Sequence, residues 1–157
     1  MSPPPVHIAH ADPRGPDARY CLTQYYAELA RRFDAGFDVS LSRDPDAADM
    51  EPPRGLFLLA RDPDGASLGC AGLQGKGGAL AEIKRVWIAP AARGQGLARR
   101  LMDQAETGAR ALGLTTLRLD TNRALPEAIA MYHRLGWTEI DRFNDDPYAQ
   151  VFFEKRL

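Results

Sequence analysis

A glycine-containing segment between two stretches of different periodicity constrains this chain more than any other feature. Residues 79–88 alternate as in a strand, whereas from Leu97 onward apolar side chains recur every three or four residues, as in an amphipathic helix. Between them, positions 90–100 read Pro-Ala-Ala-Arg-Gly-Gln-Gly-Leu-Ala-Arg-Arg. A strand that enters a helix through such a turn directs unpaired main-chain amides, at the positive end of the helix dipole, toward one point. The segment therefore predicts a pyrophosphate site.

The segment combines small residues, which let the main chain approach a ligand, with cations for phosphate groups. The small residues are Gly94, Gly96 and Ala98, and the cations are Arg93, Arg99 and Arg100. A dinucleotide-binding fingerprint is excluded because it needs Gly or Ala at position 99, and a Walker loop is excluded because no Lys follows Gly96. An ordinary strand-to-helix turn, whose glycines serve only the turn, remains the alternative.

The composition narrows the class of partner. The chain has 157 residues and a formal net charge of -1, from 20 basic and 21 acidic side chains, so it offers no excess positive charge for nucleic acid. Cys21 and Cys70 are too few for a disulfide scaffold and lack metal-ligand spacing, so we expect two buried thiols and no metal site. The sequence contains no apolar run of membrane-spanning length and no recognisable secretory leader, which predicts a cytoplasmic protein.

The remaining periodicities predict one α/β domain over residues 1–157, with a loose leader at 1–5. We expect a central mixed, mostly antiparallel sheet of about seven strands flanked by helices, in the order β-α-α-β-β-β-α-β-α-β-β. Strands are predicted at 6–10, 56–61, 67–73, 79–88, 115–121, 137–143 and 148–156. Helices are predicted at 17–34, from near residue 96 to a stop at Gly113, and from Pro126 to Leu135, with a short helix or irregular loop within 36–54.

Two motifs resemble those of the GNAT (Gcn5-related N-acetyltransferase) superfamily. Its acetyl-CoA signature is Arg or Gln, two residues, Gly, one residue, then Gly or Ala, and Arg93, Gly96 and Ala98 match it. Residues 128–137, Ala-Ile-Ala-Met-Tyr-His-Arg-Leu-Gly-Trp, look like the second motif, with Tyr132 four residues before Gly136. The predicted element order agrees with that fold over essentially the whole chain. The resemblance implies an acetyl-CoA-dependent N-acetyltransferase, with acetyl-CoA as cosubstrate and a homodimer as the favoured assembly.

The same resemblance implies which residues hold acetyl-CoA. Main-chain groups of Val86 and Ile88 would hold the pantetheine arm as a neighbouring strand does. The pyrophosphate would bind the segment from Gly94 through Gln95, Gly96, Leu97 and Ala98 to Arg99, beside Arg93. Many members have an asparagine seven residues before the tyrosine, where this chain has Leu125. Asn122 is the nearest substitute for that contact.

The chemistry of acetyl transfer needs a base and an acid. A lysine-like amine has a pKa of about 10.4 and must lose a proton before it attacks. Glu82 is the leading base, because its offset from Arg93 resembles the glutamate of histone-type members, and strand alternation predicts Glu82, Lys84, Val86 and Ile88 on one face. A solvated or ion-paired Glu82 is the alternative, and Asp120 is the reserve base. By resemblance Tyr132 is the acid that protonates the departing thiolate, although its helix position also suits a core tyrosine.

The acceptor is a primary amine that the sequence does not identify. Aromatic and acidic residues in the early helical region and the final hairpin would suit a cationic amine, although solvated loops are the simpler interpretation. They are Phe33, Asp34, Phe37, Asp38, Asn144, Asp145, Asp146 and Tyr148. A small molecule and a protein amine both remain open. A catalytically silent acyl-CoA-binding or sensor module, or a protein-interaction domain that uses a sheet edge, are the rival functions.

Overall fold

The computed structural model describes residues 5–38 and 49–157, in which seven strands and three α-helices form. The strands are β1 (His7–His10), β2 (Leu56–Arg61), β3 (Ser67–Gly77), β4 (Leu80–Ile88), β5 (Thr116–Thr121), β6 (Thr138–Ile140) and β7 (Val151–Arg156). The helices are α1 (Pro16–Arg32), α2 (Leu97–Ala111) and α3 (Pro126–Arg134), and a 3-10 turn (Pro90–Ala92) precedes α2. Most of the predicted leader and the centre of the predicted helix or loop at 36–54 lie outside the described residues.

The strands form one mixed sheet in the order β1-β2-β3-β4-β5-β7-β6. Only β4 and β5 run parallel, because α2 connects them as a crossover, and all other neighbours are antiparallel. The predicted α/β class, the strand number and the mostly antiparallel pairing are therefore confirmed. The last two strands are shorter than predicted, because residues 141–150 form turns and loop before β7.

Apolar side chains cover both faces of the sheet. On one face, Leu56 and Leu58 of β2 pack with Leu101 and Ala105 of α2 in a cluster that also contains Tyr132 of α3. On the other face, the alternate β2 residues pack with α1 and β4. They are Phe57 and Leu59, in contact with Ala18, Cys21, Cys70 and Trp87. Burial on both faces explains why β2 reads as an almost unbroken apolar run, and both cysteines are buried and free, as predicted.

A β-bulge in β4 changes the face of the sheet on which the side chains of that strand lie. Arg85 has a positive φ of 58°, and the register with β3 shifts there, so that Lys84 faces Gly72 while Trp87 faces Cys70. Because the extra residue reverses the alternation, Glu82 and Lys84 lie on the face opposite Ile88. Val86 packs with Ile88 against the α2 cluster. The prediction that all four side chains share one face is wrong.

The parallel strands β4 and β5 part soon after they meet. Their pairing runs only from Leu80 opposite Thr116 to Glu82 opposite Arg118. Beyond Glu82, β4 continues for six residues paired with β3 alone, while β5 continues paired with β7. The sheet therefore opens at its centre, directly below the turn that leads into α2.

Candidate active site

The opening between β4 and β5 forms part of a cavity of about 690 Å³. Its walls come from β4, the turn before α2, the end of β5, α3, the C-terminal half of α1 and the loop before β7. A cavity of this size and with a mixed apolar and charged lining is typical of a small-molecule site. Five of these segments, all but α1, contain residues that the sequence singled out.

One end of the cavity is formed by the N-terminus of α2. Gly94 and Gly96 have φ of 78° and 75°, the left-handed conformation that glycine adopts without strain, and a Cβ at either position meets no atom within 4 Å. The first i to i−4 bond of α2 runs from the Arg100 amide to the Gly96 carbonyl at 3.1 Å. The amides of Leu97, Ala98 and Arg99 precede that bond, and these residues line the cavity. The turn thus has the conformation and the free amides that an anionic group requires.

Most of the predicted cosubstrate residues border this cavity. They are Val86, Ile88, Arg93, Gly94, Gly96, Leu97, Ala98, Arg99 and Asn122. Gln95 is exposed and is not among the lining residues, and Arg100 instead donates to the Val6 carbonyl at 3.0 Å. Asn122 uses its side chain locally, because its amide donates to the Tyr148 carbonyl at 2.9 Å and its oxygen accepts from the Ala124 amide at 2.8 Å.

Glu82 is buried away from the cavity lining. Its carboxylate lies 3.3 Å from the Lys84 ammonium and 3.8 Å from that of Lys76. Lys84 does line the cavity. These contacts match the alternative of an ion-paired strand residue.

Asp120 lies at the end of β5 and lines the cavity. Burial raises the pKa of its carboxyl, while the nearby Lys84 charge and a 2.8 Å hydrogen bond from Asn144 lower it, and burial dominates. The negative charges of Asp146 and Glu82 add to the increase in pKa. A carboxylate with a raised pKa that faces a cavity is a better proton acceptor than an ordinary one.

Tyr132 reaches the same space from α3. It is 6% exposed and packs against Trp137 and Phe153, with ring centroids 6.1 and 5.6 Å away. Burial raises the pKa of its hydroxyl, and the Asp120 charge raises it further, so Tyr132 keeps its proton at neutral pH. Its neighbour His133 is exposed and contacts Glu139 at 3.2 Å, as expected for a surface residue.

Helix α1 contributes residues that the sequence did not single out. Tyr25 lines the cavity, and burial followed by the charge effect of Tyr132 raises the pKa of its hydroxyl. Tyr26 also lines the cavity. Two adjacent tyrosines on a helix were the available signal, because only one of them can belong to a narrow core stripe.

Two ion pairs join α1 to the other walls of the cavity. Glu28 pairs with Arg93, whose Nε also donates to the Ile88 carbonyl at 3.0 Å. One turn later, the Arg32 guanidinium binds both carboxylate oxygens of Glu127 on α3. Each pair joins residues far apart in sequence, so neither was predictable from local spacing. The pairs join α1 to the turn before α2 and to α3.

Neither a metal site nor a membrane span emerges from residues 5–38 and 49–157. In these ranges, His, Cys, Asp and Glu form no group of three or more that could hold a metal ion. The helices of the same ranges are too short or too polar to cross a membrane.

Comparisons with known proteins agree with this geometry. The family model described as Acetyltransferase (GNAT) family matches residues 22–137. The IAA acetyltransferase of Azospirillum brasilense is 31% identical over 158 residues, which cover 98% of this chain and 99% of that protein. A GNAT-family acetyltransferase structure from Staphylococcus aureus superposes with a TM-score of 0.83 at 16% identity, covering 97% of this chain and 99% of that one.

A GNAT superfamily phosphinothricin acetyltransferase from Sinorhizobium meliloti, solved in complex with AcCoA, superposes with a TM-score of 0.70 at 20% identity. That superposition covers 97% of this chain and 88% of the other. At these identities the two solved structures support the fold, and the family assignment rests on the family model and on the Azospirillum relative. By fold, by motif and by sequence, this chain belongs to the GNAT acetyltransferase family.

Proposed function

We propose that this acetyltransferase transfers an acetyl group from acetyl-CoA to a primary amine by direct attack in a ternary complex. The observation that carries the proposal is the continuity of one cavity from the amides at the start of α2, along the open edge of β4, to Asp120 and Tyr132. Such a cavity can hold a long cosubstrate at one end and an acceptor at the other. The phosphinothricin enzyme, which shares the fold, was solved with AcCoA.

The residues present fit acetyl-CoA. The amides of Leu97, Ala98 and Arg99 suit its pyrophosphate, and the side chain of Arg99 adds charge. The edge of β4 beyond Glu82 faces the cavity, so main-chain groups of Val86 and Ile88 suit the amides of the pantetheine arm. Bound there, acetyl-CoA supplies the activated acetyl group.

Asp120 and Tyr132 divide the proton transfers. Asp120 accepts the proton of the acceptor ammonium, directly or through water, because its raised pKa and its place in the cavity suit a base. Tyr132 holds its proton and donates a hydrogen bond to the departing sulfur. Asp120, the reserve candidate, thus takes the place of Glu82 as the base. Glu82 is paired with Lys84 and does not line the cavity.

Replacing Glu28 by glutamine is expected to strengthen acetyl-CoA binding. Glu28 neutralises Arg93 at the phosphate end of the cavity, so its loss frees that guanidinium for a phosphate. A partly exposed ion pair is typically worth about 1 kcal/mol or less, so the dissociation constant measured by calorimetry should fall by about two- to fivefold.

Glu127→Gln is the matched control, because it removes the same charge from the other α1 pair and leaves the ion pair between Glu28 and Arg93 in place. Its dissociation constant should stay within about twofold of wild type on the same energy scale. Weaker binding by Glu28→Gln would mean that Glu28 holds Arg93 in a productive position instead of competing with phosphate.

A thiol-release assay over an amine library tests the proposed transfer. The purified chain, acetyl-CoA and each amine are mixed, and free CoA thiol is followed together with mass spectrometry of the acetylated amine. The proposal expects equal amounts of both products with at least one primary amine. Binding of acetyl-CoA without thiol release for any amine would instead favour a silent acyl-CoA-binding module.

A further inference from the structure

Four aromatic side chains form a cluster at the acceptor end of the cavity. This ring cluster consists of Tyr26, Phe33, Phe37 and Tyr148, and all four line the cavity. Phe37 stacks on Tyr26 with centroids 5.1 Å apart and lies 4.6 Å from Tyr148, which also stacks on Phe33 at 5.6 Å. Rings from α1, the segment after it and the loop before β7 therefore form one aromatic wall, in which Phe33 also meets Phe37 edge to face at 6.1 Å. Such a wall attracts another flat ring more strongly than it attracts a flexible aliphatic chain.

The loop before β7 joins the ring cluster to the acidic part of the cavity. Tyr148 accepts a hydrogen bond on its hydroxyl from the Asp38 amide at 2.6 Å, and its own amide donates to Asp146 at 2.8 Å. Asp146 is 9% exposed, and Asn144 of the same loop donates to Asp120 at 2.8 Å. The rings and the two carboxylates of Asp120 and Asp146 therefore lie side by side in the cavity. A cationic group next to an apolar ring matches both.

The cation beside the ring cluster is already bound. Arg32 directly precedes Phe33, and its guanidinium fork is held by both oxygens of Glu127. Lys84, whose charge acts on Asp120, lies 3.3 Å from the Glu82 carboxylate. A carboxylate carried next to the acceptor amine would have to displace Glu127 from Arg32, compete with Glu82 for Lys84, or lie against Asp120 and Asp146. All three alternatives are unfavourable, because like charges repel and a charge that loses water needs a partner.

We infer that the acceptor is a primary amine joined by a short linker to a flat apolar ring, with no carboxylate beside the amine. This inference rests on the proposed acetyl transfer and names the substrate class of the same site. The ring of the acceptor lies on the ring cluster, and its ammonium faces Asp120 and Asp146. The acetyl carbon gains a bond to the amine nitrogen as its bond to sulfur breaks. The ammonium gives one proton to Asp120 before it attacks, the Tyr132 hydroxyl gives its proton to the departing thiolate, and the second proton that the nitrogen loses as the amide forms returns to Tyr132.

The test compares four amines with acetyl-CoA: 2-phenylethylamine, phenylalanine, hexylamine and glucosamine. Each rate is divided by the concentration of the neutral amine, so that differences in pKa between the amines do not affect the comparison. We expect kcat/KM for 2-phenylethylamine to exceed that for hexylamine by about tenfold, the size of a favourable ring pair. We expect it to exceed that for phenylalanine by roughly tenfold or more, because of the buried carboxylates.

Phe37→Leu separates ring recognition from general packing. It should raise KM for 2-phenylethylamine by about five- to tenfold and leave hexylamine within about twofold. Tyr20→Leu is the matched control, because Tyr20 is an exposed aromatic residue of α1 outside the cavity lining and should change neither value. Acetyl-CoA affinity and melting temperature, measured for each variant, show whether the fold is intact.

The outcomes separate the two proposals. Faster turnover of phenylalanine or glucosamine than of 2-phenylethylamine, or an equal loss for both simple amines in Phe37→Leu, overturns the inference and leaves the acetyl transfer standing. An absence of thiol release with every amine overturns both. A loss confined to the aromatic amine in Phe37→Leu supports the inference, because a merely structural role of Phe37 would affect both amines.

Discussion

Asp120→Asn is expected to lower kcat/KM about 10²- to 10⁴-fold, the usual contribution of a positioned base. The substitution keeps the shape of the side chain and a partner for Asn144 but removes the proton acceptor from the cavity. The pH profile gives the more specific readout. A base works only when deprotonated, so wild-type kcat should fall as the pH drops through the raised pKa of Asp120. In Asp120→Asn this acidic limb should disappear.

Glu82→Gln is the control for this assignment. Glu82 lies outside the cavity lining, so its loss should cost less than about tenfold in rate, well below the effect of a lost base. Because the Glu82 charge helps to raise the pKa of Asp120, its removal should move the acidic limb to lower pH. A large loss in Glu82→Gln with a nearly active Asp120→Asn would make Glu82 the base, as the strand position first indicated.

Tyr132→Phe is expected to lower kcat by about 10²-fold or more, because it removes the donor to the departing sulfur. The affinity for acetyl-CoA should change little, since the pyrophosphate and pantetheine contacts belong to other residues. The pKa of the Tyr132 hydroxyl is raised, so its ionisation should not appear as a limb of the pH profile near neutrality. Stopped-flow measurement of thiol release isolates this step from product release.

Tyr25→Phe identifies the acid by elimination. Tyr25 lines the same cavity and interacts electrostatically with Tyr132, so its hydroxyl is an alternative proton donor. If Tyr25→Phe loses most of the rate and Tyr132→Phe keeps it, the acid is on α1 and the assignment to Tyr132 is wrong. If each variant alone retains activity and the double variant does too, neither hydroxyl is the proton donor.

The sequence predicted the parts of the site that depend on local backbone geometry. The spacing of Gly94 and Gly96 before an amphipathic helix identified the turn that ends the cavity, because left-handed glycines and unpaired helix amides are local properties. The antiparallel pairing of β2, β3 and β4 could also be predicted, because glycine-rich turns this short join antiparallel neighbours. These features need no knowledge of distant contacts.

Features that depend on tertiary contacts could not be predicted from the sequence. No local signal marks the left-handed Arg85, which is not a glycine, and its bulge moved Glu82 and Lys84 to the face opposite Ile88. The raised pKa of Asp120 likewise depends on burial that only the assembled fold produces.

Titration calorimetry of acetyl-CoA with Gly96→Ala tests most directly whether the start of α2 binds the pyrophosphate. Alanine in the left-handed conformation costs about 1–2 kcal/mol, so the turn should shift and its amides lose their alignment. Gly65→Ala carries the same strain in the β2–β3 turn, at a φ of 87° and outside the cavity lining, and serves as the matched control.

Wild type and Gly65→Ala are expected to bind acetyl-CoA saturably, and Gly96→Ala at least about tenfold more weakly, in line with that strain. Folded wild-type protein that gives no heat with millimolar acetyl-CoA, or a Gly96→Ala variant that binds as tightly as Gly65→Ala, would contradict a pyrophosphate site at the start of α2.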